Sequence, residues 1–436
     1  MRLNTFEASS YFVFQLYASI PHGLVLSDIP YSQSTRPRNG QKKCDHLRFI
    51  VSSVCQRTAR TDEAVLRVHG GGVPLNSLIL KKYCGDGYRG AVAALIGSGV
   101  IETVMYSKGY AYSSYTGKSK LYRLTERYRG AKWVNEEFGD LMSGKLEAWQ
   151  REDNELTETL HPEILPLREC LNEFLFDADA AARYVDTLPD DTPTRMRKKN
   201  ARADAVHRIR AIQEGASILP FTYRENCGRL FSTYTNTPKD ILPFLRARDG
   251  SQLIEVDVSN SQPYFAAACA AADGVVCPSL DATARGDFYK LLMCAARCPD
   301  ERRDEFKREV LSLFYDAPER AAWAARRGGS GALSVIAADA FIGVFPELWR
   351  WVQAQKLPGR VGRELALRMQ RAEGSLILRA VALSLLRDYP AAPIMTRHDS
   401  IICRADMASE VQRRIQEESL SMYGRACTAR IKKPGE

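Results

Sequence analysis

Asp257 and Asp399 are the residues of this chain best suited to do chemistry. Asp257 lies in the apolar run Leu253-Ile254-Glu255-Val256-Asp257-Val258, and Asp399 follows Ile394-Met395-Thr396-Arg397-His398. Both runs are short and β-rich, so each predicts a strand that delivers one aspartate at or just beyond its end. Two carboxylates held that way are what two-metal phosphoryl transfer needs. Mg2+ prefers hard oxygen ligands, and substrate phosphates and water complete its shell. Aspartates end many strands, so the pair gains meaning only from what lies between.

Between them runs Arg302-Arg303-Asp304-Glu305-Phe306-Lys307-Arg308-Glu309-Val310-Leu311-Ser312-Leu313-Phe314-Tyr315. Phe306, Val310, Leu313 and Phe314 recur at helical spacing, which predicts a helix with that face in a core. Arg303 and Lys307 are four apart and share a face, with Tyr315 roughly two turns beyond Lys307. Cations so spaced suit the phosphates of a nucleoside triphosphate, and the ring suits its base or sugar. A surface helix with solvated charges has the same composition. Only the order of the surrounding motifs separates the two.

Asp257-Val258-Ser259, then Arg303, Lys307 and Tyr315 as R-x3-K-x7-Y, then His398-Asp399 resemble motifs A, B and C of the family A DNA polymerases and the single-subunit phage-type RNA polymerases. Upstream, Gly228-Arg229-Leu230-Phe231-Ser232 looks like their G-R-L-x-S segment. Met369–Ile377 resembles the helix before motif C that presents a polar residue to the minor groove or ribose. The resemblance covers residues 221–436. It implies an α+β fold: a polymerase palm on an antiparallel sheet, helical fingers and a reduced thumb. It also implies Asp257 and Asp399 as ligands of two Mg2+ ions, with Lys307 acting catalytically at the triphosphate. Arg303, Tyr315, Gln262 and Gln370 would meet the nucleotide, and Arg229 and His398 the nucleic acid. The implied partners are a DNA or RNA template and nucleoside triphosphates.

The departures bear on the sugar. DNA polymerases of family A usually carry a glutamate five residues after the motif A aspartate, where it blocks a ribose 2′-hydroxyl; here that residue is Gln262. Ser400 follows His398-Asp399, as in the single-subunit RNA polymerases, and Leu311 replaces an aromatic of the DNA polymerases. These features lean toward ribonucleotides and leave a DNA polymerase as the alternative.

The rest of the chain must position these residues. Residues 1–40 end in the polar stretch Ser32–Gly40, expected as a loop or arm. Residues 41–135 read as helix, helix and hairpin, which looks like a winged helix; Lys118, Lys120 and Arg123 on its wing would contact nucleic acid. The same module also serves protein contacts. Residues 136–220 read as a helical connector or thumb-like element, and the basic run Arg195–Arg202 suits a phosphate backbone. Residues 221–436 form the palm and fingers. Arg326-Arg327-Gly328-Gly329-Ser330-Gly331 lacks P-loop spacing.

Lys and Arg exceed Asp and Glu to give a net charge of +9, a balance that favours polyanionic partners. The eleven cysteines follow no disulfide or zinc pattern, which points to a reducing, cytoplasmic setting. Cys294 and Cys298, four apart in an apolar stretch, read as buried thiols. No apolar run reaches bilayer length, so a soluble protein, expected as a monomer, follows. Two functions remain in contention. One is a small template-directed nucleotidyltransferase, polymerase or primase-like, from a plasmid, phage or integrated element. The other is a catalytically inactive winged-helix replication initiator or regulator.

Overall fold

The computed structural model describes residues 17–61, 63, 66, 69–105, 119–315, 333–356 and 363–436. They fall into two compact units, each assembled from separate stretches of chain. The first takes residues up to Leu156, Phe176–Pro220 and Asn236–Phe244; the second takes Thr157–Leu175, Phe221–Thr235 and Leu245–Glu436. Both mix helices with small antiparallel sheets, as the α+β expectation requires.

In the first unit, β1 (Tyr17–Pro21) pairs antiparallel with β5 (Trp133–Glu137). Residues expected in a loose arm therefore complete a sheet at the far end of the 41–135 region. Helix α1 (Pro37–Arg60) begins inside the stretch expected as a loop. Pro37 explains the difference: in the first helical turn its fixed φ is suitable and its missing N–H would have had no partner. Next come β2 (Val73–Leu75), α2 (Ser77–Cys84), α3 (Tyr88–Gly97), β3 (Ile101–Val104) and β4 (Lys120–Leu124). The three strands form an antiparallel sheet in the order β2-β4-β3, so the anticipated hairpin is present. Asn76 caps α2, its side chain accepting the Leu78 N–H at 2.8 Å. Leu47, Ile50, Val51 and Val54 of α1 anchor the core of this unit. Three further helices follow: α4 (Asp140–Leu160), α5 (Ala178–Thr187) and α6 (Pro193–Gln213).

The second unit opens with the hairpin β6 (Phe221–Arg224) and β7 (Arg229–Ser232). After it come β8 (Leu253–Val258), α7 (Ser261–Ala272), α8 (Phe288–Ala295), α9 (Arg303–Tyr315) and α10 (Arg363–Gly374). A π-helix, Ser375–Ala382, continues from α10, and β9 (Ile394–Arg397), β10 (Ser400–Arg404), α11 (Ala408–Tyr423) and β11 (Ala429–Lys432) finish the unit. The antiparallel sheet runs β9-β10-β8-β11, which leaves β8 hydrogen-bonded on both sides. Val256, Val258, Met395, Ile401 and Ile402 are buried in it, and α11 buries Val411 and Ile415. Phe306, Val310, Leu313 and Phe314 of α9 are buried, as their spacing predicts. Cys294 is exposed and Cys298 half-exposed, contrary to the expectation of buried thiols: Cys294 is on the outer face of α8, and the helix ends at Ala295, before Cys298. Among the described residues no helix is long and apolar enough to cross a membrane.

Candidate active site

The register of β8 against β10 sets Asp257 opposite Ser400, and the Val258 N–H donates to the Asp399 carbonyl at 3.1 Å. Only His398 and Asp399 connect β9 to β10. His398 takes φ 54, a left-handed conformation that such two-residue hairpins ordinarily assign to glycine or asparagine. That turn brings Asp399 to the strand carrying Asp257. Burial lifts the Asp257 carboxyl above its ordinary range and the Asp399 charge lifts it further, while Lys432, with Nζ 3.0 Å from Oδ2, opposes both. The Asp399 charge is thus felt at Asp257, which places the two aspartates in one region of the sheet.

Glu255 is a member the sequence reading missed. It sits two residues before Asp257 on the same sheet face and is buried. Ser400 Oγ donates to it at 2.7 Å, and Arg397 and Lys432 lie 3.7 and 4.0 Å away. Ser400 thus anchors a buried carboxylate beneath the aspartates. Its period-two spacing from Asp257 was the available signal. The donor set fits Mg2+, since carboxylate oxygens are the hard ligands it prefers. Among the described residues no group of three or more Asp, Glu, His or Cys side chains could hold a metal alone. Substrate phosphates and water would have to supply the remaining positions.

A second cluster adjoins the first. Gln262, near the start of α7, accepts a hydrogen bond at Oε1 from the Tyr315 hydroxyl at the end of α9. Its Nε2 donates to Glu373 Oε2 at 3.1 Å. The Arg229 guanidinium meets both oxygens of Glu373, at 2.7 and 2.6 Å. Glu373 is fully buried, and burial raises its carboxyl to about 7 against the lowering pull of Arg229. Burial likewise raises the Tyr315 phenol, which stays a neutral donor. The α10 residue bonded to Gln262 and Arg229 is Glu373, one helical turn after the expected Gln370. Gln370 is half-buried, whereas the phase of α10 turns Glu373 fully inward.

Arg303 and Lys307 stand exposed on α9, and the Lys307 ammonium lies over the Tyr289 ring, 5.3 Å from its centroid. Tyr289, on α8, is 2% exposed, and its hydroxyl is buried without a hydrogen-bond partner. Among the described residues Ser259 Oγ, Asn260 Nδ2, Arg229 Nε, Glu373 Oε1 and His398 Nδ1, all buried near the carboxylates, share that state. Buried polar groups are nearly always satisfied, so unsatisfied ones gathered in one region suit a ligand. His398 itself is held neutral: burial and the charge of Arg229 lower its imidazole to about 4. It can share hydrogen bonds with nucleic acid but brings no positive charge at neutral pH.

The first unit presents its candidates differently. Lys120 is exposed on β4, whereas Arg123 bonds to Glu102 at 2.8 Å and to the Gly70 carbonyl. Lys118 lies outside the described residues, as does the glycine-rich stretch 326–331. The basic run on α6 is largely neutralised within its own unit. Arg195 meets Asp191, Lys199 meets Asp190, Arg202 meets Asp240 and Arg210 meets Asp179.

No family model matches the chain, and no curated protein matches it. Among solved structures it is similar to the POL domain of Pol1 from M. smegmatis, solved in complex with DNA primer-template and dNTP. The two share 15% identity with a TM-score of 0.41. The match covers 58% of this chain and 55% of that one, so the chain spans about half of that structure. A likeness of that size leaves the chemistry to be argued from the residues themselves.

Proposed function

We propose that the second unit is a template-directed nucleotidyltransferase, polymerase or primase-like, that uses two-metal chemistry. The observation that carries this reading is that Asp257, on β8, and Asp399, in the turn that leads into the neighbouring β10, come together from distant parts of the sequence. The two aspartates hold the Mg2+ ions. When bound, these would supply Lewis acidity at an attacking 3′-hydroxyl and at the leaving pyrophosphate. Arg303 and Lys307 bind the triphosphate, and Lys307 meets charge developing on the leaving group. Tyr315 and Gln262 border the sugar and base, with Gln370 further along α10. Arg229 and His398 face primer and template, and a winged helix in the first unit holds nucleic acid through Lys118, Lys120 and Arg123.

Gln262 leans the sugar choice toward ribonucleotides, because an amide can offer a 2′-hydroxyl a donor where a carboxylate cannot. A plasmid, phage or integrated element is the setting we favour, with a DNA polymerase of such an element as the nearest alternative. The experiment is Mg2+-dependent incorporation of labelled rNTPs or dNTPs, with and without primer. Asp257→Asn and Asp399→Asn should abolish incorporation and leave nucleic-acid binding near wild type. Binding without incorporation under every condition would favour the inactive initiator, a reading to which the Lys432 ammonium on Asp257 lends some support.

A further inference from the structure

Resting on the nucleotidyltransferase reading, we propose that Glu373 is a positioning residue that fixes the orientation of the Gln262 amide and thereby sets the sugar choice of the site. An amide side chain is nearly symmetric in shape, so only its partners decide which end faces where. Here they decide jointly. Glu373 Oε2 accepts from Nε2 at 3.1 Å, and the Tyr315 hydroxyl donates to Oε1. In the flipped orientation the phenol could still accept from the amide NH2, but the amide carbonyl would face the buried Glu373 carboxylate, so the mismatch falls at Glu373.

The fixed orientation leaves one Gln262 N–H and the lone pairs of the Tyr315 oxygen for a ligand. A 2′-hydroxyl both donates and accepts, so it can use both; a 2′-deoxy carbon can use neither. Glu373 is held for this task. Gly374 packs against the Gly228 carbonyl so closely that a Cβ would collide with it. Arg371 Nη1 donates to the Asn226 carbonyl at 2.9 Å, and the Tyr423 hydroxyl donates to the Ala372 carbonyl at 2.8 Å. Arg229 Nη2 donates to Oε2 and pairs ionically with Oε1, which draws the carboxyl group toward the β6–β7 hairpin.

The test is the ratio of kcat/KM for an rNTP over the matching dNTP in primer extension by the full chain. Glu373→Gln keeps the shape but can donate as well as accept, so it releases the amide. It should lower the ratio by about tenfold or more, through a higher KM for the rNTP. Gln262→Met should give the same loss, and the double variant little more. A folded E373Q that keeps the wild-type ratio, or that slows both substrates equally, overturns the proposal. If E373Q does not fold, Arg229→Met with Glu373→Met strands no charge and should show the same loss of ratio; an unchanged ratio again overturns it. A wild-type chain that prefers dNTPs also overturns it, while one with no incorporation at all overturns the polymerase reading beneath it.

Discussion

Gly374→Ala probes the contact that places Glu373 against Arg229. An added Cβ would stand 2.7 Å from the carbonyl carbon of Gly228. Ordinary carbon contacts lie at roughly 3.5–4.0 Å, so the β6–β7 loop or α10 must retreat by about 1 Å. Neither yields easily. Gly228 is left-handed at φ 67, its N–H donates to the Arg224 carbonyl at 2.8 Å, and Arg371 ties the same loop to α10. Overpacking of this kind costs about 1–3 kcal/mol. A 1 Å misplacement of active-site groups can lower turnover by roughly 100-fold. Urea unfolding should therefore show a lower midpoint, and primer extension a larger proportional loss than the stability change explains. An alanine variant with wild-type midpoint and incorporation would refute the packing argument. Gly144→Ala is the opposite case: it lies inside α4 with open space around it, and should stabilise by about 0.5–1 kcal/mol.

Other expectations follow from single groups. Charge reversal at Lys118 and Lys120 should reduce the log–log salt slope of nucleic-acid binding by about 1.8; an unchanged slope in a folded variant reassigns the first unit to protein contacts. Lys432→Met should destabilise the metal-free protein by about 1 kcal/mol, and Mg2+ should raise its melting temperature more than that of wild type, because Asp257 loses the ammonium 3.0 Å from it. His398 has a folded pKa of about 4 against an ordinary 6.5. Lowering the pH through this window protonates the unfolded chain first, so stability is lost as pH falls from 6.5 toward 4. His398→Asn, which tolerates the left-handed turn, should lack this component; parallel stability–pH curves for the two proteins would exclude it.

Several features were legible in the sequence because they obey local rules. The strand that carries Asp257, the helix from Arg303 to Tyr315 with its four buried apolar residues, and the hairpin around Lys120 all follow from periodicity and flanking residues. What escaped depends on partners far away. Gln370 and Glu373 are both polar residues of one helix, and only the contact of Gly374 with Gly228 decides which of them meets Arg229. The pairing of β1 with β5 joins segments more than a hundred residues apart, a choice that alternation alone does not specify. Tyr289 gave no signal at all, since an unsatisfied hydroxyl becomes visible only once its surroundings are known.

The π-helix Ser375–Ala382 gives the chain an unusual sensitivity to length. Each i→i+5 turn holds an extra residue, which advances everything beyond it around the axis relative to an α-helix. Upstream, Gly374 is locked against the β6–β7 loop; downstream, Leu385 and Leu386 are buried ahead of β9. If the same eight residues relaxed to α-helix, one side would turn against the other by about 100°. Either Glu373 would swing away from Arg229, or the buried row of Leu376, Ile377 and Val381 would leave the core. A one-residue deletion that closes the ladder to α-helix keeps the flanking phase and should be absorbed, whereas a further insertion should not. The segment acts as a phase setter, and its residue count carries more information than its residue types.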